Sequence, residues 1–259
     1  MSDQTKIADV CEDDGMSLDE NNEVPSYGPT ARYLGEKGKA YFQWQKSIGR
    51  LGAQFNQFLF KPYVSEQDDV LEFGCGGGYL LNRLKARRKM GVDINPEARA
   101  QAMSLGLEVH ESLVEIGDQR FSRIVTSHAL EHVPSPYEAL VRLRMFLKPD
   151  GLLLWLSPMD DWRKKNQRLW KPNDNDMHLY SWTPLLIGNL LDAAGYKPQS
   201  ISIITHAFPP LAISERLWVI SPRLFHASAH VWAIATRQRQ ILAVASPAGN
   251  SASPLSVGD

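Results

Sequence analysis

The chain has 259 residues, 43% hydrophobic and 22% charged, with a net charge of −1. That composition supports a globular core and excludes wholesale disorder. Charge is uneven: residues 1–26 hold eight acids against Lys6 alone, which leaves a net +6 on the remainder. So mild an excess, without a basic stripe, is no nucleic-acid footprint. The two cysteines, Cys11 and Cys75, are too few and too badly placed for a disulfide framework or a cysteine zinc site. No basic segment followed by an apolar run opens the sequence, and no run of about 18 apolar residues crosses it. A cytoplasmic protein without a membrane partner is expected.

In chain order, residues 1–26 read as an acidic, disordered leader. Tyr41, Trp44, Ile48, Leu51, Phe55 and Phe58 then recur at alternating three- and four-residue steps, the period of a helix with one apolar face. Such a face is expected in the core, although its aromatics could also cover a ligand. Val70–Phe73, Met90–Asp93, Leu107–His110, Arg123–Ser127 and Leu152–Leu156 read as strands, with helices at Tyr79–Ala86, Glu97–Ser104 and Tyr137–Leu147 between them. Thr183–Pro184 supplies a cap and a first-turn proline, and Gly195 a stop, for a later helix. Ile201–Thr205 and Val231–Thr236 are expected as two closing strands, and residues 246–259 as a disordered tail. Strands alternating with helices over short connections predict an α/β fold with a doubly wound, mostly parallel sheet.

The segment Val70-Leu71-Glu72-Phe73-Gly74-Cys75-Gly76-Gly77-Gly78-Tyr79 falls at a strand-to-helix turn. Glycines there allow a sharp turn and close approach to a ligand. A dinucleotide fingerprint needs glycine where Tyr79 stands. An acid two residues before the first glycine suits a cationic or hydroxylated ligand better than a pyrophosphate, which it would repel. Asp93, 19 positions after Gly74, ends the second strand, where a carboxylate can accept both ribose hydroxyls. Alone it could also be no more than a cap of the helix starting near Pro96. Together the loop and Asp93 describe a site for an adenosine-type ligand.

From about residue 69 to 195 the chain resembles the class I S-adenosylmethionine-dependent methyltransferase family. Leu71–Gly78 is similar to its first motif and Val92-Asp93-Ile94 to its second. Ser127-His128-Ala129-Leu130-Glu131-His132-Val133 is similar to its fourth-strand motif, and Leu147-Lys148-Pro149-Asp150-Gly151 to the turn before the fifth strand. The resemblance implies a Rossmann-like, seven-stranded sheet with an antiparallel last strand, helices on both faces, and S-adenosylmethionine as cofactor. It divides residues 27–245 into a helical cap (27–63), a cofactor-binding core (69–157) and an acceptor loop (158–182). Glu72 and Gly74 would lie by the methionine part of the cofactor, with Gly76 lining the loop and Cys75 among the cofactor-binding residues. Asp93 would hold the ribose, Ile94 would pack on the adenine, and Ser112 and Leu113 would meet its edge. His128 would sit at the methionine end. Two departures stand out: Phe121-Ser122-Arg123 lacks the family's common Phe-Asp, and His110-Glu111-Ser112-Leu113 lacks the commoner Asp.

His128-Ala129-Leu130-Glu131-His132 also matches a zinc-protease string, H-x-x-E-H, but in a strand-end context that does not suit it. Some methyltransferases that this chain resembles hold magnesium or a similar cation at an E-x-x-E-H cluster plus a later histidine. Here His128 replaces the first acid, which weakens a hard-cation site. No metal is assigned, and Glu131 and His132 are read as hydrogen-bonding residues. His178, in a polar, aromatic-rich loop, is expected as general base, with His132 and His128 beside it. The acceptor implied is a small molecule or a glycan, methylated on oxygen, with no nucleic acid or membrane involved. The competing expectations are a degenerate cofactor-binding partner protein and a nicotinamide-dependent oxidoreductase. Bases at Arg83, Lys85, Arg87, Arg88 and Lys89 are expected to complement a helix dipole.

Overall fold

The computed structural model describes residues 28, 30–159, 174, 176–205, 207, 209–236 and 238–249. The expected leader, most of the expected tail and residues 160–173 and 175 of the acceptor loop lie outside these. Seven strands form one sheet in the order β3-β2-β1-β4-β5-β7-β6. They are β1 (Asp69–Phe73), β2 (Arg88–Val92), β3 (Glu108–His110), β4 (Phe121–Ser127), β5 (Leu147–Pro158), β6 (Tyr196–Thr205) and β7 (Arg239–Pro247). β7 runs antiparallel to both β5 and β6, and the pairings among β1 to β5 are parallel. β1 lies between β2 and β4, so the chain winds outward in both directions from it. Ligand crevices form at the carboxyl ends of strands at such a reversal.

Among the described residues seven helices pack around the sheet: α1 (Gly35–Phe60), α2 (Tyr79–Arg83), α3 (Pro96–Ser104), α4 (Pro136–Met145), α5 (Pro184–Ala193), α6 (Leu211–Ile220) and α7 (Pro222–Thr236). Alternation along β5 shows why both faces are covered. Leu153 and Trp155 join a core with Leu140, Ile187 and Leu191, while Leu154 and Leu156 join another with Phe60, Leu80 and Ala102. Period-two alternation of apolar residues on both faces is the pattern of a sheet buried on both sides.

One expected strand is a helix. Val231–Thr236 is the last turn and a half of α7, whose Phe225, Ala229 and Ala233 are buried at four-residue spacing. Ser221–Pro222 starts that helix, and the step of four prevails over the local apolar run. The seventh strand is β7 instead, and its Ser246 and Pro247 fall inside the expected tail. The apolar stripe of α1 is divided. Leu51 and Phe55 are buried, Phe58 is exposed, and Tyr41, Trp44 and Ile48 line a cavity. Of the basic run, only Arg83 lies in the last turn of α2. Arg87 pairs with Asp69 and the Arg88 guanidinium lies over the Phe121 ring.

Candidate active site

The carboxyl ends of β1, β2 and β4 open into a cavity of about 1160 Å³, ample for a nucleoside-sized ligand with a second molecule beside it. Glu72, Gly74, Cys75, Gly76, Asp93, Ile94, Ser112, Leu113, His128, His132 and His178 all line it. Every site residue expected from the sequence is therefore gathered at one place.

The glycines of the loop do different work. Gly74 and Gly76 have φ of +71° and +53°, where a side chain is strained. A Cβ at Gly74 would fall 2.4 Å from Ala129 Cβ, so this glycine lets the β1 and β4 turns approach each other. At Gly76 the nearest neighbour of such a Cβ is Gln45 Oε1 at 4.0 Å. Its backbone faces open cavity, a cradle that a side chain would fill. Cys75 is buried in the core behind the loop, and burial pushes its thiol pKa well up, as suits an inert packing residue.

Asp93 fastens the loop from β2. Its Oδ2 accepts the Gly76 N–H at 2.7 Å and its Oδ1 accepts the Asn95 N–H at 2.9 Å. The helix cap is not Asp93 but Asn95, whose Oδ1 accepts from Glu97 and Ala98, with Pro96 in the first turn. Burial raises the Asp93 pKa despite those two N–H groups. Glu72 is buried too, and its Oε2 accepts the Leu81 N–H at 3.0 Å. Burial pushes its carboxyl up to about 8, with Asp93 adding to the rise and the Leu81 N–H opposing it. Two acids on one wall of the cavity, Glu72 and Asp93, suit a cationic or hydroxylated ligand. Arg99 stiffens the rim, donating to the carbonyls of Asp93 and Ile94 at 2.9 and 2.8 Å and to Glu111 at 2.7 Å.

The histidines cluster across from this wall. His128 follows β4 directly with φ of +54°, an uncommon conformation for a residue other than glycine. Its Nε2 lies 3.0 Å from Gln240 Oε1 and its Nδ1 3.6 Å from Glu131 Oε1. Burial pulls the His128 pKa down, but Glu131 outweighs it and the net shift is upward. Glu131 is fully buried and tied to β5, since Trp155 Nε1 donates to Ser157 Oγ at 2.6 Å and Ser157 Oγ to Glu131 Oε2 at 3.2 Å. Burial alone would raise the Glu131 pKa, yet its histidine neighbours lower it. Burial keeps His132 below its ordinary pKa. The His132 and His178 rings meet edge to face with centroids 4.8 Å apart. One ligand-type atom from each of Glu131, His132 and His178 lies within 4.8 Å of the others, an arrangement able to grip a divalent ion.

Several lining residues carry no motif. Gln45 and Tyr41 come from α1, Tyr33 from the turn before it, and Gln240 from β7. Asn95 Nδ2 donates to Gly38 O at 2.9 Å and so fastens α1 over the site. The aromatic stripe of α1 was the one signal for this wall.

The fold and the glycine loop together form a crevice of the kind in which open α/β sheets bind ligands, and comparison with known proteins gives its family. A family model described as "Methyltransferase domain" matches residues 33–201. The chain belongs to that family of methyltransferase domains. It is 30% identical over 118 residues to the ubiquinone biosynthesis O-methyltransferase of Roseobacter denitrificans, covering 40% of this chain and 46% of that one. For the Haemophilus ducreyi protein of the same name the figures are 30% over 116 residues, 39% and 49%. The match thus spans about half the length of these curated relatives. Among solved structures, a methyltransferase from Thermotoga maritima superposes with a TM-score of 0.57 at 15% identity, covering 82% of this chain and 95% of that one. The plantazolicin methyltransferase, solved with S-adenosylhomocysteine, gives 0.55 at 16% identity over 85% and 94%. These two establish likeness of fold. No helix among the described residues is long and apolar enough to cross a membrane.

Proposed function

We propose that the enzyme transfers the methyl group to a hydroxyl of a small-molecule or glycan acceptor, with His178 as general base. The observation that carries this reading is that His178 and His132 share one cavity with Glu72, Gly76 and Asp93. The named O-methyltransferases among its relatives support an oxygen acceptor on a small molecule.

In this reading Asp93 binds the ribose hydroxyls, since each of its oxygens accepts one N–H and keeps a further lone pair. Glu72 and Gly74 flank the methionine part, and Gly76 lines the loop. Ile94 packs on the adenine, Ser112 and Leu113 meet its edge, and His128 stands at the methionine end. S-adenosylmethionine supplies a methyl already activated on a sulfonium, so the protein's main task is to align the acceptor oxygen with it. His178 takes the hydroxyl proton near neutral pH. His132, kept neutral by burial, does not repel that proton, and the Glu131 carboxylate favours the imidazolium that forms.

His178→Ala is expected to lose about 10²–10⁴-fold in kcat while affinity for S-adenosylhomocysteine stays at the wild-type value. The measurement is transfer of labelled methyl into a metabolite and glycan extract, with calorimetry for the cofactor product. Unchanged turnover would remove His178 from the chemistry. The compactness of Glu131, His132 and His178 favours one second reading, a divalent ion that polarises the acceptor oxygen. A chelator that abolishes turnover, with recovery on adding a transition metal, selects that reading. An unaffected rate selects the base.

A further inference from the structure

α6 and α7, between β6 and β7, present a second apolar surface outside the cavity. Ile213, Val219 and Ile220 on α6 and Leu224, Val231 and Ile234 on α7 range from 50% exposed at Ile213 to 83% at Val219. Positions 213 and 216 with 219 and 220 one turn on, and then 224, 227, 231 and 234, follow three- and four-residue steps, so each helix carries one outward stripe. The inward faces are satisfied separately. Ser214, Phe225, Ala229 and Ala233 are buried, and the Phe225 ring packs on Phe55 of α1 with centroids 5.6 Å apart. Six large aliphatic side chains on an outer face exceed the scattered exposure of an ordinary surface.

Charge selects the occupant. Glu215, the one acid of these two helices, is paired with Arg50 at 3.0 Å. Arg216 lies on the outward stripe of α6 and Arg223 opens α7, and both are exposed. Aliphatic stripes set with arginines describe helices that lie in the interface of an anionic bilayer. The hairpin also borders the site, because Ala207 before α6 and Gln238 after α7 line the cavity.

We propose that α6 and α7 dock the protein on anionic lipid bilayers, immersing the aliphatic stripes and placing Arg216 and Arg223 among the headgroups. The sequence-based expectation of no membrane partner came from the length needed to span. A helix lying in the interface needs no such length. This docking rests neither on the choice of acceptor nor on His178.

The test is flotation of the full chain with two kinds of vesicle, phosphatidylcholine alone and phosphatidylcholine with about 30% phosphatidylglycerol, an anionic surface that attracts basic segments. Binding is expected to the anionic vesicles and to fall about tenfold on phosphatidylcholine alone or in high salt. The double variant Val219→Asp, Val231→Asp is expected to lose at least about tenfold in anionic-vesicle binding. Its affinity for S-adenosylhomocysteine, unchanged, shows that it folds. Arg216→Gln with Arg223→Gln should abolish the preference for anionic lipid. Absence of wild-type binding to either vesicle would overturn the proposal. So would a dimer in sedimentation velocity that the aspartate pair dissociates, which would assign the stripes to a second copy of this chain.

Discussion

Asp69 and Glu72 stand three residues apart on β1, and the two ends of the sheet treat their carboxyls in opposite ways. At the amino end, Asp69 accepts from Arg87 at 3.0 and 2.6 Å and from Lys148 at 2.9 Å. Arg87 foremost, then Lys148, hold its pKa down to about 2 against the effect of burial. At the carboxyl end, Glu72 has the single N–H of Leu81, and burial takes it up to about 8. One end is saturated with donors from the chain itself. The other keeps buried acids under-compensated, an arrangement that costs stability and suits ligand binding. The linkage signs differ accordingly. The Asp69 contribution is present above its ordinary 3.8 and is lost as pH falls through about 2. The raised Glu72 pKa works the other way, with stability highest below 4.5 and declining as pH rises towards 8.

The largest effect expected from this contrast is at Glu72. Across pH 4.5–8 the folded protein holds a proton there that the unfolded chain releases, so stability falls by up to about 1.4 kcal/mol per pH unit. Glu72→Gln keeps an acceptor for the Leu81 N–H and removes the titration. The cofactor-free variant should be more stable than wild type at pH 8, with a flatter pH profile, and should bind S-adenosylmethionine more weakly. Urea unfolding at pH 5 and pH 8 measures this. Parallel profiles for the two proteins would break the contrast.

Asp93 comes next. Asp93→Ala removes a charged acceptor of two backbone N–H groups and the proposed ribose ligand. Loss of hydrogen bonds to a charged group is worth about 1.5–3 kcal/mol, or roughly 10–150-fold in affinity for S-adenosylhomocysteine. Calorimetry giving wild-type affinity would leave Asp93 as a loop fastener alone.

The carboxyl-end wall on β1 and β2 was legible because its chemistry is local. Glycines at positive φ, an acid two residues before them and Asp93 at the end of β2 lie within 22 consecutive residues. The opposite wall is assembled from distant pieces. Gln45 on α1 and Gln240 on β7 join Tyr41 and His178 there only through tertiary packing, and no spacing encodes that. The seventh strand was misplaced for a related reason. Val231–Thr236 and Ile241–Ala245 are both short apolar runs, and what separates them is the burial of Phe225, Ala229 and Ala233 at helical spacing. Length and flanking residues cannot arbitrate so short a run.

The smallest expected effect lies at the amino end, at the position where the family's common acid is replaced by Ser122. Its hydroxyl donates to Asp68 Oδ1 at 2.8 Å and accepts the Asp69 N–H at 3.0 Å, so it bridges β4 to the start of β1. Asp68 is itself buried. Burial would raise its pKa, but the Ser65 N–H and the hydroxyls of Ser122 and Ser65 hold it below the usual carboxylate value. Ser122→Ala leaves a donor and an acceptor short of one partner each, at a cost of about 1–2 kcal/mol. In a domain of this size that lowers Tm by roughly 2–4 °C per kcal/mol. Affinity for S-adenosylhomocysteine should not change, because Ser122 sits at the far end of the strands from the cavity. If calorimetry found the affinity falling in step with Tm, stability and binding would not be divided between the two ends of the sheet. A drop in Tm with binding intact is the outcome this division requires.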